Sequence, residues 1–154
     1  MSAVLAEDEL LISRTFDAPI ELMFQLWSDI NHFQKWMGPE GFDCPEMDMD
    51  FRVGGKYRGM IRSKHHGDSW FAGEYREIEA PTRLVFTWKW DTGPSGEVTS
   101  LITIRFSEHN GQTTMTFHQT PFLNAERRDS HYQGWTSLFN KLAAYAAKQQ
   151  EQRT

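Results

Sequence analysis

The sequence predicts a single α+β domain, a curved antiparallel sheet of six or seven strands wrapped around a long C-terminal helix. Two short helical segments interrupt the series of strands after the first one. Most of the later strand connections are far too short for the crossovers that a parallel sheet requires, which excludes a doubly wound fold. From Asn124 to about Lys148 there is no proline and only one glycine. Only that helix is long enough to cover one face of the sheet.

In chain order, Leu10, Ile12 and Thr15-Phe16 mark a first strand. Asp17-Ala18-Pro19 then puts a proline at a first helical position behind an acidic residue, as helix starts prefer. Ile20, Phe24 and Trp27 share one helical face, and Ser28-Asp29 caps a second short helix reaching about Trp36. Met37-Gly38-Pro39-Glu40-Gly41 ends it. Next, Met47, Met49, Phe51 and Val53 alternate with Glu46, Asp48, Asp50 and Arg52, the period of a strand with one wet face. The acidic row therefore belongs outside. Gly54-Gly55 turns into Lys56 to Arg62, where Tyr57, Gly59 and Ile61 face inward and Gly59 leaves space.

A polar loop from Ser63 to Asp68 leads to a strand over Trp70 to Ile78, and Ala80-Pro81-Thr82 turns into Leu84 to Trp90. There Leu84, Phe86, Trp88 and Trp90 share a face. Gly93-Pro94-Ser95-Gly96 makes the next turn, before the run of Val98, Ile102, Ile104 and Phe106. Asn110-Gly111 is a hairpin turn in which both residues tolerate positive φ. The returning strand over Thr113 to Gln119 points Met115 and Phe117 inward, and Asn124 caps the terminal helix. On that helix Trp135, Leu138, Phe139, Leu142 and Tyr145 form the apolar stripe, leaving Lys141, Lys148 and Gln149 for water. The expected boundaries are a tail over 1–8, the domain over 9–148 and a second tail over 149–154.

Composition narrows the function. A chain of 154 residues fits one domain, which at this size buries roughly 70% of its unfolded surface. The formal charge of −5 repels phosphate backbones, which disfavours nucleic acid as a partner. No segment approaches the roughly 20 apolar residues of a membrane span. The first residues carry Glu7, Asp8 and Glu9 and no basic start, unlike a secretory leader, so a cytoplasmic address is expected. The one cysteine, Cys44, is expected as a small strand-edge side chain without a base beside it. Six Trp and eleven Phe supply enough bulky surface for a core plus a lined cavity.

Six motifs, Phe16-Asp17-Ala18-Pro19, Trp36-Met37-Gly38-Pro39, Arg52-Val53-Gly54-Gly55, Glu77-Ile78, Arg83-Leu84-Val85-Phe86-Thr87-Trp88 and Gly134-Trp135, occur in this order. In order and spacing they resemble the activator-of-heat-shock-protein-ATPase-like branch of the START/SRPBCC superfamily, over about residues 9 to 148. The resemblance implies a helix-grip fold with a cavity between sheet and helix. It does not imply one activity, because lipid and hormone binders, polyketide cyclases and a cochaperone domain share that fold. Many relatives carry a double tryptophan where this chain has Trp36-Met37, so a softer pocket rim is expected here.

The candidate ligand-binding residues are Trp27, Trp36, Tyr57, Tyr75, Phe86, Trp88, Ile102, Met115, Phe117, His131, Trp135 and Leu138. Two readings of this set stand. In one, wide aromatics facing a helix leave a hollow that Gly59 and Gly73 help to keep open. In the other, they interlock as core. His131 lies one turn before Trp135, where it is either a polar anchor or acid–base group in the cavity, or a solvent-exposed residue of the helix start. Glu74, Arg76 and Glu77 stay open as buried orienting groups, because a bulge in their strand reverses their facing. His65-His66 beside Asp68 and the surface-facing His118 do not amount to a metal site. No catalytic residue, metal or cofactor is assigned. The expected partner is a hydrophobic or lipid-like small molecule, with a chaperone as the alternative implied by the resemblance, and a cyclase- or hydrolase-like activity of His131 or Tyr75 as a third possibility. A monomer and a homodimer are equally compatible with the chain.

Overall fold

The computed structural model describes residues 7–91 and 98–153. The turn expected at Gly93 to Gly96 and most of the expected N-terminal tail lie outside these residues. Seven strands and three helices follow in the order β1 (Leu10–Phe16), α1 (Ile20–Ser28), α2 (Ile30–Trp36), β2 (Asp43–Met49), β3 (Lys56–Ser63), β4 (Gly67–Glu79), β5 (Arg83–Trp90), β6 (Ser100–His109), β7 (Gln112–Thr120) and α3 (Ala125–Arg153). They form one antiparallel sheet in the order β1-β7-β6-β5-β4-β3-β2. This is the helix-grip architecture. Among the described residues no helix is long and apolar enough to cross a membrane.

Local chemistry explains the element ends. Pro19 stands at the N-cap of α1, one position before the first helical residue, and offers no side-chain cap. The Ile20 N–H, which has no acceptor within the helix, donates instead to Glu108 Oε2 at 3.2 Å. Asp29 caps α2 by accepting from the Asn31 N–H at 2.9 Å, and Asn124 does the same for α3 through Arg127 N–H at 2.9 Å. Asn110 and Gly111 take φ of 53° and 78°, the left-handed pair that a tight hairpin needs.

The inner sheet face packs on α1 and α3. Leu84, Ile102, Ile104, Phe106, Met115 and Phe117 are buried from the sheet, and Trp135, Leu138, Phe139 and Leu142 from α3. Helix and sheet do not run in even contact. The α3 backbone comes within 8 Å of β1, α1 and α2 but of none of β3, β4 and β5. The terminal helix comes nearest the β1 edge, and elsewhere its side chains span the distance to the sheet, as Trp135 and Phe139 do to Phe117.

Several expectations are corrected. Strand β2 ends at Met49, and residues 50–55 close on themselves and onto Tyr75, with Gly54 N–H donating to Tyr75 O and Tyr75 N–H to Gly55 O; Val53 is consequently 59% exposed. The loop after β3 is shorter than expected, because Arg62 grips Asp68 at 2.7 and 3.2 Å and draws the hairpin closed to Gly67. In β4 the register shifts between Tyr75 and Glu77, so Arg76 is the extra residue of a bulge. Around that bulge Glu74, Arg76 and Glu77 all turn outward into ion pairs, Arg76–Glu74 at 3.3 Å and Arg83–Glu77 at 2.9 Å. Helix α3 continues through Arg153, past the expected end near Lys148. Lys141 does not simply meet water, since its Nζ donates to Phe42 O at 2.9 Å.

Candidate functional site

The two glycines expected to hollow the interior are filled by their neighbours. At Gly59 an added Cβ would meet Phe71 Cζ at 2.7 Å and Met47 Sδ at 2.5 Å. At Gly73 it would meet Thr87 O at 1.9 Å and the Tyr57 hydroxyl at 2.5 Å. The Tyr57 ring lies across Gly73 and its hydroxyl donates to Thr87 O, while the Glu74 N–H turns to Thr87 Oγ1 at 2.9 Å. Glycine is required at 73 so that a side chain can reach over its backbone into the β4–β5 ladder.

This divides the twelve candidate residues into three groups. Trp27, Tyr57, Tyr75 and Phe86 surround a void of only about 10 Å³. Trp36, Ile102, Met115 and Phe117 are each 0% exposed and belong neither to this void nor to the cleft described next. Trp36 packs on Trp27 with ring centroids 4.7 Å apart and donates its indole N–H to Leu26 O at 3.0 Å. Trp88, His131, Trp135 and Leu138 stand together in the wall of a cleft of about 230 Å³. It lies between α3 and the β3–β5 side of the sheet, and Met37, Gly38, Pro39, Ile61, Phe71 and Trp90 also line it.

Two hydrogen-bond chains hold this wall. Trp135 Nε1–H donates to Gln119 Oε1 at 2.8 Å, and Gln119 Nε2–H to Ser100 Oγ at 2.7 Å. Gln119 is 0% exposed, so its amide is committed to fixing the indole, as buried amides must be. On the other side Trp90 Nε1–H donates to His131 Nε2 at 2.8 Å. With that nitrogen accepting, the proton sits on Nδ1 and is donated to Arg127 O, 2.8 Å away. Burial pushes the His131 pKa below its ordinary value, and the Arg127 charge adds to this. His131 is thus a neutral strut with both nitrogens engaged rather than a solvent-exposed helix-start residue.

His131 is the one His, Cys, Asp, Glu, Lys or Tyr in the lining of the cleft, and the groups outside it add little to the cleft. Burial pushes the Tyr57 and Tyr75 hydroxyls above their ordinary values, away from the range useful for proton transfer near neutrality. Cys44, 6% exposed in the edge strand, is raised to about 11 by burial and remains a thiol. A second opening of about 430 Å³ between α2, the start of β2 and α3 is lined by Lys35, Asp43 and Lys141 and is mainly polar. Among the described residues no group of three His, Cys, Asp or Glu side chains is placed to hold a metal ion.

Trp90, Phe71, Met37, Gly134 and Gln119 are absent from the twelve. Gln119 and Trp90 were findable, because each continues by two residues the inward parity of Met115-Phe117 and Phe86-Trp88. Gly134 interrupts the helix interior, where glycine costs about 1 kcal/mol relative to alanine. No neighbour demands it, since an added Cβ would find nothing closer than Pro39 Cγ at 3.9 Å.

The chain resembles solved structures over nearly its whole length. A protein from Chromobacterium violaceum superposes with a TM-score of 0.84 at 25% identity, covering 92% of this chain and 98% of that one. The AHSA1 protein from Silicibacter pomeroyi gives 0.82 at 27% identity, covering 92% and 99%. A protein from Mycobacterium smegmatis, at 23% identity, a TM-score of 0.76 and 88% coverage of both chains, shares the fold. Among curated proteins none matches the sequence. The family model described as activator of Hsp90 ATPase homolog 1-like protein matches residues 17–147. With the helix-grip fold and that match in hand, the chain belongs to the activator of Hsp90 ATPase homolog 1-like family.

Proposed function

We propose that this protein binds a small apolar or aromatic molecule in the cleft beneath α3. The observation that carries this reading is Gly134. A glycine inside a helix weakens it, and here no packing requirement compensates for that cost. Its bare backbone instead keeps open a space walled by Trp88, Trp90 and Trp135. Apolar walls with a few fixed polar groups are the usual makeup of a small-molecule site.

Native mass spectrometry and thermal-shift screening of aromatic metabolites and fatty acids test the proposal. Gly134→Leu, which places a side chain in the cleft, is expected to weaken any hit at least tenfold while the variant stays folded. Met37→Trp should act the same way from the opposite wall. Hits whose affinity ignores both substitutions would place binding elsewhere.

The family description favours a second reading, a cochaperone-like module that stimulates a chaperone ATPase. Its test is separate: ATP turnover by an Hsp90-type chaperone, with and without the protein. Unchanged turnover together with no co-purification removes it.

A further inference from the structure

The second opening, of about 430 Å³ between α2, the start of β2 and α3, holds a nucleophile that the cleft lacks. Six lysines occur in the chain. Lys35, Lys56, Lys64, Lys89 and Lys148 are exposed, and Lys141 alone is partly buried. It stands three residues after the buried Leu138, which puts it on the helix side turned toward the fold.

Its amine is held by a neutral group. Nζ donates to Phe42 O at 2.9 Å, and among the described residues Lys141 forms no salt bridge. A carboxylate would lock the proton in place, whereas a carbonyl is satisfied by one N–H of a neutral amine, whose lone pair is then left over. Burial lowers the Lys141 pKa below its ordinary value, against the opposing pull of Asp43, Cys44 and Glu40. Withdrawal from water disfavours the charged form, and this is how proteins make a lysine nucleophilic.

The rest of the lining narrows the electrophile. Asn31, Gln34, Lys35 and Asp43 bring amide and charged groups to the opening, which suits a small polar molecule. Cys44, in the same lining, is raised to about 11 by burial and does not compete as a thiolate.

We infer that Lys141 is a covalent site for a small polar aldehyde, which it takes up as an imine. The neutral Nζ attacks the carbonyl carbon and the carbonyl π pair moves to oxygen. After proton transfer through water, the carbinolamine loses one water to leave C=N, with no oxidant or reductant involved. The site is separate from the cleft and does not depend on the binding reading there.

Glycolaldehyde with cyanoborohydride at pH 7 tests this on the folded protein, because reduction of the imine fixes each adduct for peptide mapping. Lys141 is expected to be labelled at least about threefold faster than Lys35, which lines the same opening but is exposed, the gain in neutral amine outweighing its partial burial. It should outpace Lys148, on the same helix, by a similar factor. In urea the advantage should vanish, since the fold creates it. Labelling of Lys141 no faster than of Lys35 in the folded protein overturns the inference. An advantage that persists unchanged in urea also overturns it, by assigning the reactivity to local sequence.

Discussion

The two halves of the interior are built from the same side chains and end in opposite states. Between α1 and strands β3 to β5, Trp27, Tyr57, Tyr75 and Phe86 close on a void of about 10 Å³. Between α3 and the same strands, Phe71, Trp88, Trp90 and Trp135 leave about 230 Å³. Aromatic richness does not separate them. What differs is the treatment of small residues. Gly73 is entered by Tyr57 of the closed half, and Gly59, between Tyr57 and the cleft residue Ile61, is entered by Phe71 and Met47. In the open half, nothing closer than Pro39 Cγ at 3.9 Å meets the space at Gly134. A glycine makes a hollow only when no neighbour is long enough to reach it.

The contrast is most exposed to paired truncations. Trp27→Ala in the closed half should cost about 3–5 kcal/mol by chemical denaturation, as for other fully packed aromatics. Trp90→Ala in the cleft wall should cost only about 1–2 kcal/mol, because its ring is only partly buried and leaves less new cavity. Equal losses would mean that both halves are packed alike.

The glycines give a comparison of opposite sign. Gly73→Ala forces a methyl against Thr87 O and dislodges the Tyr57 hydroxyl, with an expected cost of roughly 2–3 kcal/mol. Gly134→Ala should instead stabilise by about 0.5–1 kcal/mol, through helix propensity and a less disordered unfolded chain. A destabilising Gly134→Ala would show that packing, and not an open cleft, selects that glycine.

The smallest effect concerns pH. His131 is held neutral, and burial lowers its folded pKa, so the unfolded chain takes up the proton first. The resulting stability is fully present above the unfolded value of about 6.5 and is lost as pH falls through and below it. Protonation also sets an N–H against the Trp90 indole N–H. Between pH 7.5 and 5.5 the wild type should lose more thermal stability than His131→Phe, by less than about 1 kcal/mol. Parallel profiles for the two proteins would remove His131 as the titrating strut.

How legible this molecule is from its sequence depends on the range of the interaction involved. Alternation in Leu84-Phe86-Trp88, the left-handed pair Asn110-Gly111 and the caps Asp29 and Asn124 act over a few residues, so strand faces, a hairpin and helix starts could be read directly. Which neighbour reaches into Gly59 or Gly73 is decided across strands, by Phe71 and Tyr57, and parity does not carry that information. The neutral strut at His131 needed Trp90, 41 residues away in the chain, and the outward turn of Glu74, Arg76 and Glu77 needed a bulge whose position only strand pairing reveals.

The distribution of tryptophans gives the molecule an optical consequence. Of six tryptophans, Trp88, Trp90 and Trp135 wall the cleft, Trp27 and Trp36 are sealed in the closed half, and Trp70 lies on the surface beneath the Arg58 guanidinium, 3.9 Å from its ring centre. Intrinsic fluorescence is therefore partitioned by region. An occupant of the cleft quenches or shifts part of the emission and leaves the sealed pair unchanged, so the protein carries its own dye for the space its terminal helix leaves open.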